Sequence, residues 1–456
     1  MTNHADFLNV TLERIQSALE EQRLPEALAI LLDLHPADQA ELFTLLDENI
    51  QDYLLSQMDV PATADLLQEM EDEEVLEAVG SLTTEQLADV LDEMEPDEAA
   101  DLLGDLPPSQ VSEVLAQMED ADEVVPLLGY PDETAGGLMT TWFIALRRHT
   151  TAEQAIRFLR QVSPEMEVPY FLYVVDREKR LIGIVSLRDL VVAQPETTMD
   201  MVMDSEVLHV AVGADQEEVA RKMARYDLAN LPVVDDQNRL VGVITHDDLV
   251  DVLEEEATED FLRLGAVETG PLVDKPYWSQ RIYDLVRSRF VWLLILFVAE
   301  TFTGIVLRHY QSELEAVVTL SFFIPLLIGT GGNAGSQTVA TVIRALALQE
   351  VRSRDVLRVW WREARVGILL GLLIGSAGYI RALIWGVAPE MALTVGITVA
   401  VICTWATTVA ALVPLFASAL RIDPTIISGP LMTTLIDGTG LIIYFSLAAL
   451  ILPQLR

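Results

Sequence analysis

The spacing of polar and apolar positions changes character three times along the chain. Residues 59–118 divide into five blocks of twelve: DVPATADLLQEM, EDEEVLEAVGSL, TTEQLADVLDEM, EPDEAADLLGDL and PPSQVSEVLAQM. Each block opens polar and closes on a large apolar residue: Met70, Leu82, Met94, Leu106 or Met118. Pro61, Pro96, Pro107 and Pro108 fall at block starts, where a first helical turn tolerates proline. The pattern predicts short helices stacked as a solenoid. The seventh position of every block is acidic (Asp65, Glu77, Asp89, Asp101, Glu113), so the repeat sets these carboxylates on equivalent faces.

A second repeat covers about 140–258. FLYVVDREKRLIGIVSLRDLV (171–191) aligns with LANLPVVDDQNRLVGVITHDDLV (228–250). Asp176 matches Asp235, Arg180 matches Arg239, Gly183 matches Gly242, Ser186 matches Thr245 and Asp189 matches Asp248. Each copy reads strand, polar turn, strand and helix start. The helical stretches TTAEQAIRFLRQV and DQEEVARKMARYD precede them. A hydroxyl three residues before an aspartate at such a junction either binds a ribose or phosphate or caps the helix. Behind the pair, LVDVLEEEATEDFLRLGAV (249–267) is acidic and then amphipathic, and predicts a helix leading onward.

Beyond residue 290 the texture is that of a membrane protein. Apolar runs of bilayer length occupy 290–307 (interrupted by Glu300), 316–343, the stretch from Arg365 to Glu390 (with Arg381 inside), 391–420 and 424–455 (with Asp437). Five spans are expected. Arg281, Arg287 and Arg289 precede the first, six arginines from Arg344 to Arg365 lie at or between the ends of the second and third, and Arg421 separates the fourth and fifth. The alternate loops hold only Arg308 and Arg381. This asymmetry predicts a cytoplasmic N-terminus and an extracytoplasmic C-terminus in the cell (inner) membrane. The opening MTNHADFLNV lacks the basic and apolar regions of a signal peptide.

Charge divides the chain in the same way. The net charge is −42, yet residues 281–456 hold 13 Arg, no Lys and 10 acids, a net of +3, which leaves −45 on residues 1–280. The first 146 residues carry 35 acids against Arg14 and Arg23. Such a surface repels nucleic acid and attracts cations. Asp247, Asp248, Asp251, Glu255 and Glu259 cannot all lie close without a cation or strong screening. The single cysteine, Cys403, excludes a disulfide framework. No metal-protease motif, nucleophile elbow or phosphate-binding loop marks an enzyme.

Two membrane segments carry candidate chemistry. PLLIGTGGNAGSQTVATVIRALA (325–347) mixes Gly329, Gly331, Gly332 and Gly335 with the neutral oxygens of Thr330, Asn333, Ser336, Gln337 and Thr338. Glycines there allow close helix packing, and polar side chains line cavities. DPTIISGPLMTTLIDGTGLIIYF (423–445) holds Asp437 near its middle, flanked by Thr433, Thr434 and Thr439. A carboxylate at that depth marks a functional site, or else packs protonated or paired with Arg381. Two copies of Asp437 on a twofold axis would suit Mg²⁺, which keeps waters and takes one or two carboxylates. Glu300 has no role legible in the sequence.

The duplicated strand–turn–strand unit resembles CBS domains, which occur in tandem pairs and often bind adenine nucleotides. That resemblance implies ATP or a related nucleotide at Ser186, Arg188 and Asp189, or at Thr245 and Asp248. Over essentially the whole chain, the order of acidic helical repeat, CBS pair, connecting helix and five spans is similar to the MgtE family of magnesium transporters, and PLLIGTGGNAGSQT and GPLMTTLIDGTGLIIYF match its pore segments. The implied fold is multi-domain: an all-α superhelical N domain (1–137), an α+β tandem CBS pair (138–200 and 201–258), a connecting helix (254–280) and an α-helical transmembrane domain (281–456). The resemblance implies a homodimer with a pore between subunits, with Asp437, Thr433 and Asn333 at the permeating Mg²⁺. It implies that Mg²⁺ holds the gate shut through Asp65, Glu85 and Asp89, through Asp215, Glu217, Asp227, Asp248 and Asp251, and through Glu256, Glu259 and Asp260. Gly438 departs from the branched apolar residue expected after the aspartate, and is expected to loosen the helix there. The alternatives are a CBS-regulated transporter for Co²⁺, Ni²⁺ or an anion, and a membrane-anchored nucleotide sensor without transport.

Overall fold

The computed structural model describes residues 4–21, 23–70, 72–162, 170–270, 277, 280–420, 422–427 and 429–455; Arg421, Ser428 and most of 271–279 lie outside them. The chain divides into two compact units, Met1–Glu254 and Glu255–Arg456.

The first unit begins with ten helices: α1 His4–Glu20, α2 Leu24–Leu32, α3 Pro36–Thr44, α4 Glu48–Leu55, α5 Val60–Gln68, α6 Asp72–Val79, α7 Thr84–Glu93, α8 Pro96–Asp105, α9 Pro108–Leu115 and α10 Ala121–Val124. Helices α5 to α9 are the five twelve-residue blocks. Within a block the apolar positions are the fifth, eighth, ninth and twelfth, which is one helical face plus the residue that closes the turn. In the third block these are Leu87, Val90, Leu91 and Met94, all buried. In the fourth they are Ala99, Leu102, Leu103 and Leu106, buried likewise. Helix starts are fixed locally. Asp59 Oδ1 accepts from the Ala62 amide at 3.2 Å, and Thr83 and Gln86 form a reciprocal capping box. Alternate helices pack on one another: α3 on α5, α5 on α7 and α7 on α9 in one file, α4 on α6, α6 on α8 and α8 on α10 in the other. The seventh-position acids are all exposed, each in the same place on its helix.

Two three-stranded sheets follow. The first holds β1 Ala145–Arg147, β2 Phe171–Val175 and β3 Leu181–Ser186, and the second β4 Val210–Ala211, β5 Leu231–Val234 and β6 Leu240–Ile244. In each, the first strand pairs parallel to the second and the second antiparallel to the third. Helices α11 Ala152–Val162, α12 Leu187–Val192, α13 Met199–Val202 and α14 Gln216–Tyr226 accompany them. The matched Asp and Arg of the two copies build matched turns. Asp176 Oδ2 accepts from Arg180 Nε at 2.8 Å and Asp235 Oδ2 from Arg239 Nε at 2.7 Å, while Lys179 and Asn238 take left-handed φ of 63° and 60°. The matched glycines have matched partners as well. A Cβ on Gly183 would overlap Met203, and one on Gly242 would overlap Met139. The segment leading into each copy therefore lies against the other copy, with Thr140 bridged to Val243 and Asp204 to Ile184.

Helix α15, His246–Leu264, starts after β6 in the first unit and ends in the second. Gly265 and left-handed Ala266 (φ 58°) terminate it, so the connecting segment expected as helix to residue 280 is α-helical only to Leu264 among the described residues. The second unit contains α16 Ile282–His309, α17 Gln311–Ala316, α18 Ile324–Ala347, α19 Val356–Ile384, α20 Pro389–Ala419 and α21 Gly429–Ile451. Five segments are long and apolar enough to cross a membrane. The second expected span is not one helix: Val318–Phe323 forms a 3₁₀ turn, and α18 begins at Ile324 with Pro325 in its first turn. Close packing is concentrated in α19, where a Cβ on Gly371 or Gly375 would lie 2.5 Å from the carbonyl of Ala400 or Gly396. Only glycine permits that approach of α19 to α20. The glycines of α18 act similarly, with Gly332 against Thr433 and Gly335 against Ile436 of α21.

Candidate functional site

Helices α16, α18 and α21 enclose an open cavity of about 540 Å³ in the second unit. Each contributes one helical stripe: Leu296 and Glu300 from α16, Ser336 and Ala340 from α18, and Pro430, Thr433, Thr434 and Asp437 from α21. Gly429 and Leu264, the last residue of α15, line it as well. Asp437 is 8 % exposed, and its Oδ1 has no hydrogen-bond partner among the described residues. A buried carboxyl oxygen without a donor is costly unless a ligand or water completes it. The Thr433 hydroxyl donates to the Gly429 carbonyl at 3.1 Å and lies 3.1 Å from Ser336 Oγ, which also donates to Gly429 at 3.3 Å. These bonds hold the two hydroxyls beside each other on the cavity wall.

Of the three residues expected at the permeating ion, Asp437 and Thr433 line this one cavity. Asn333 does not line the cavity; it is exposed on α18, one turn before Ser336. Arg381 stacks 4.9 Å from the Trp385 ring centroid, and among the described residues no ion pair joins it to Asp437. Gly438 is where α16 packs closely on α21. Phe302 of α16 fills the place of its missing side chain, and Thr303 Oγ1 lies 3.4 Å from where a Cβ would stand.

Charged groups lie on the end of α15, next in the chain to the cavity-lining Leu264. Arg263 of α15 pairs with Asp423, at 2.7 Å, and with Glu259, whose Oε1 also accepts from Thr269 Oγ1 at 3.3 Å. Burial, aided by the charge of Asp423, raises the Asp260 carboxyl above the usual range, and burial raises that of Glu259.

A second candidate site lies within the first unit. Asp97, at the start of α8, is 6 % exposed, and its Oδ1 has no partner among the described residues. Burial, and then the nearby charge of Asp248, hold its carboxyl well above the usual range. Asp248 itself is raised by burial, against the hydrogen bonds it accepts from Thr245. Asp251 is raised by burial and by Asp247, Glu254 and Glu69. The helical repeat and the second α/β copy thus meet through like charges. Sequence reasoning missed Asp97. It named Glu85 and Asp89, the third and seventh positions of block three; Asp97 is the third position of block four. Both named residues are exposed on α7, and so is Asp65 on α5. The repeat makes the blocks equivalent in pattern, and only burial separates them. Asp215 caps α14 by accepting from Glu217 N at 3.0 Å, Glu217 pairs with Arg221, and Asp227 ends that helix at φ 51°. Glu256 lies on α15 in the second unit. Among the described residues no three acidic, His or Cys side chains form a preassembled metal cage.

At both hydroxyl–aspartate junctions the hydroxyl donates to the aspartate, and at the first Ser186 also caps the helix. Ser186 Oγ donates to Asp189 Oδ2 at 2.6 Å and accepts from the Asp189 amide, and Thr245 Oγ1 donates to Asp248 Oδ2 at 2.6 Å. They differ in access. Arg188 and Asp189 are exposed, whereas Asp248 is half-buried beside Asp97.

Comparison with known proteins agrees across the whole chain. Family models match at residues 324–447 (MgtE, divalent cation transporter), 34–133 (MgtE intracellular N domain), and 135–196 and 199–255 (CBS domain). The magnesium transporter MgtE of Thermus thermophilus is 44 % identical over 72 % of this chain and 72 % of its own length. That of Bacillus subtilis is 32 % identical over 97 % of both. Among solved structures, the cytosolic domain of the Mg²⁺ channel MgtE in complex with ATP is 36 % identical, with a TM-score of 0.50, covering 53 % of this chain and 99 % of that one.

Proposed function

The chain belongs to the MgtE family of divalent cation transporters, and we propose that in it Mg²⁺ crosses the membrane past Asp437 along a path that cytoplasmic Mg²⁺ closes. Its relatives' activity supports Mg²⁺ as cargo, and its five apolar helices make it a multi-pass membrane protein. The observation that carries the proposal is the unpartnered carboxyl oxygen of Asp437 on a cavity within the membrane spans. Mg²⁺ prefers six oxygens and dehydrates reluctantly. Six waters occupy about 180 Å³ at their share of liquid volume, so the cavity accommodates the hydrated ion. Asp437 supplies the charge, and the Thr433 and Ser336 hydroxyls supply neutral oxygens to coordinated water. Asn333, exposed on the same helix, faces the ion once a second copy covers this surface in a homodimer.

Closure follows from the acids of the first unit. Without Mg²⁺, Asp97 and Glu69 repel Asp248 and Asp251, and the helical repeat separates from the α/β pair. Mg²⁺ bridges these carboxylates, with Asp215, Glu217 and Asp227 on the same sensing surface. Helix α15 transmits the change. It is continuous from Asp248 to Leu264, Glu256, Glu259 and Asp260 lie along it, and Arg263 ties its end to Asp423 before α21. An adenine nucleotide belongs at the first α/β copy, where Ser186, Arg188 and Asp189 are accessible; Thr245 and Asp248 are committed to the Mg²⁺ side. The pore assignment is tested by Asp437→Ala in liposomes. Mg²⁺ flux is expected to vanish while the protein elutes as the wild type does; undiminished flux removes the assignment.

A further inference from the structure

Glu300 is the only charged residue of α16 between Arg289 and Arg308. A carboxylate at that depth is expensive unless it faces water, an ion or a partner. Among the described residues it has no hydrogen bond or ion pair, and it is exposed on the surface of the chain. It does not face away from the chemistry, because it lines the same cavity as Asp437. Its position there is fixed by packing. Phe302, two residues on, sits against the bare Cα of Gly438, the residue after Asp437. Thr303, buried at 4 % exposure, lies beside the same glycine. The exchange of a side chain at position 438 for the Phe302 ring brings α16 onto α21 and sets its register, so that the two carboxylates reach one space.

We propose that Glu300 is a second cation-binding carboxylate of the pore, forming with Asp437 a two-carboxylate site within one chain for a hydrated divalent cation. This rests on the reading of the Asp437 cavity as the ion path. The chemistry favours a divalent ion. Two carboxylates facing one space repel each other when both are ionised, and a single doubly charged ion neutralises both at once. Waters in the octahedral shell of Mg²⁺ bridge to carboxylates that do not touch the metal directly. Neither Arg nor Lys lines the cavity to compensate the acids instead.

The test is Mg²⁺ uptake by the full chain in liposomes, measured against external Mg²⁺ for Glu300→Gln, Glu300→Asp and Asp437→Asn. Removing one charge at the same shape is expected to raise the half-saturating Mg²⁺ concentration about tenfold, equivalent to about 1.4 kcal/mol. It is also expected to weaken the exclusion of K⁺. Glu300→Asp restores most of the affinity, and Asp437→Asn abolishes flux. A wild-type half-saturation in Glu300→Gln beside a dead Asp437→Asn overturns the role of Glu300 and leaves the pore reading intact. Flux through Asp437→Asn overturns the pore reading itself. Equal loss in the Gln and Asp variants assigns Glu300 a matter of shape and also overturns the proposal. If Glu300→Gln does not assemble, Glu300→Ala decides on the same readout.

Discussion

At Asp97 the folded chain holds a carboxyl that keeps its proton more firmly than the unfolded chain does, because it is buried beside Asp248. The sign of the pH effect follows. The stabilisation is complete below the ordinary aspartate range, near pH ~4, and is lost as pH rises through the raised values of Asp248 and Asp97. Once both are ionised, the two carboxylates repel each other, and a bound cation would take the proton's place. In Mg²⁺-free buffer, protease protection of the first unit in the intact protein should therefore increase as pH is lowered from neutrality towards the ordinary aspartate range, near pH ~4. Asp97→Asn should give that protection near pH ~7.5 without Mg²⁺, since it removes the repulsion while keeping the shape. Protection that ignores both pH and the substitution would show that Asp97 senses nothing. Individual residues were the hardest scale to read from sequence. Asp437 stood out because acids are rare in apolar runs, whereas Asp97 was one acid among 35 in the first 146 residues. Gly438 looked like a defect because its partner, Phe302, is 136 positions away in the chain and carries no local signal.

Elements were far more legible, since their signals are periodic. The twelve-residue blocks gave α5 to α9, and the strand–turn–strand duplication gave two sheets of identical topology. What periodicity hides is exchange between copies. Met139 on Gly242 and Met203 on Gly183 tie each copy to the other's leading segment, and nothing local in the sequence announces it. The 3₁₀ turn before α18 was equally hidden inside an uncharged run, although Pro325 marks where the helix must begin. The two strand-to-helix junctions look alike in sequence and share the hydroxyl-to-aspartate bond, yet only the first leaves its aspartate exposed. Asp189→Ala should accordingly abolish ATP binding measured by calorimetry, while Asp248→Ala should leave it within about threefold, less than 1 kcal/mol. The reverse order would move the nucleotide to the second copy.

For the molecule as a whole, charge and membrane were the plainest features. The −45 of residues 1–280 stands apart from the near-neutral spans, and the relatives are magnesium transporters. In the proposed function one ion has two roles, cargo at Asp437 and closing ligand at Asp97, Asp248 and Asp251. A ligand moves such an equilibrium only as far as its affinities for the closed and open states differ. Several acidic sites acting together make the response steep. The direct test is the initial rate of Mg²⁺ entry into liposomes whose lumen faces the cytoplasmic side, as lumenal Mg²⁺ is varied. The wild type should slow sharply as lumenal Mg²⁺ rises, and the Asp97→Asn, Asp248→Asn double variant should enter at one rate throughout. A wild-type rate that stays constant across lumenal Mg²⁺ would contradict the account.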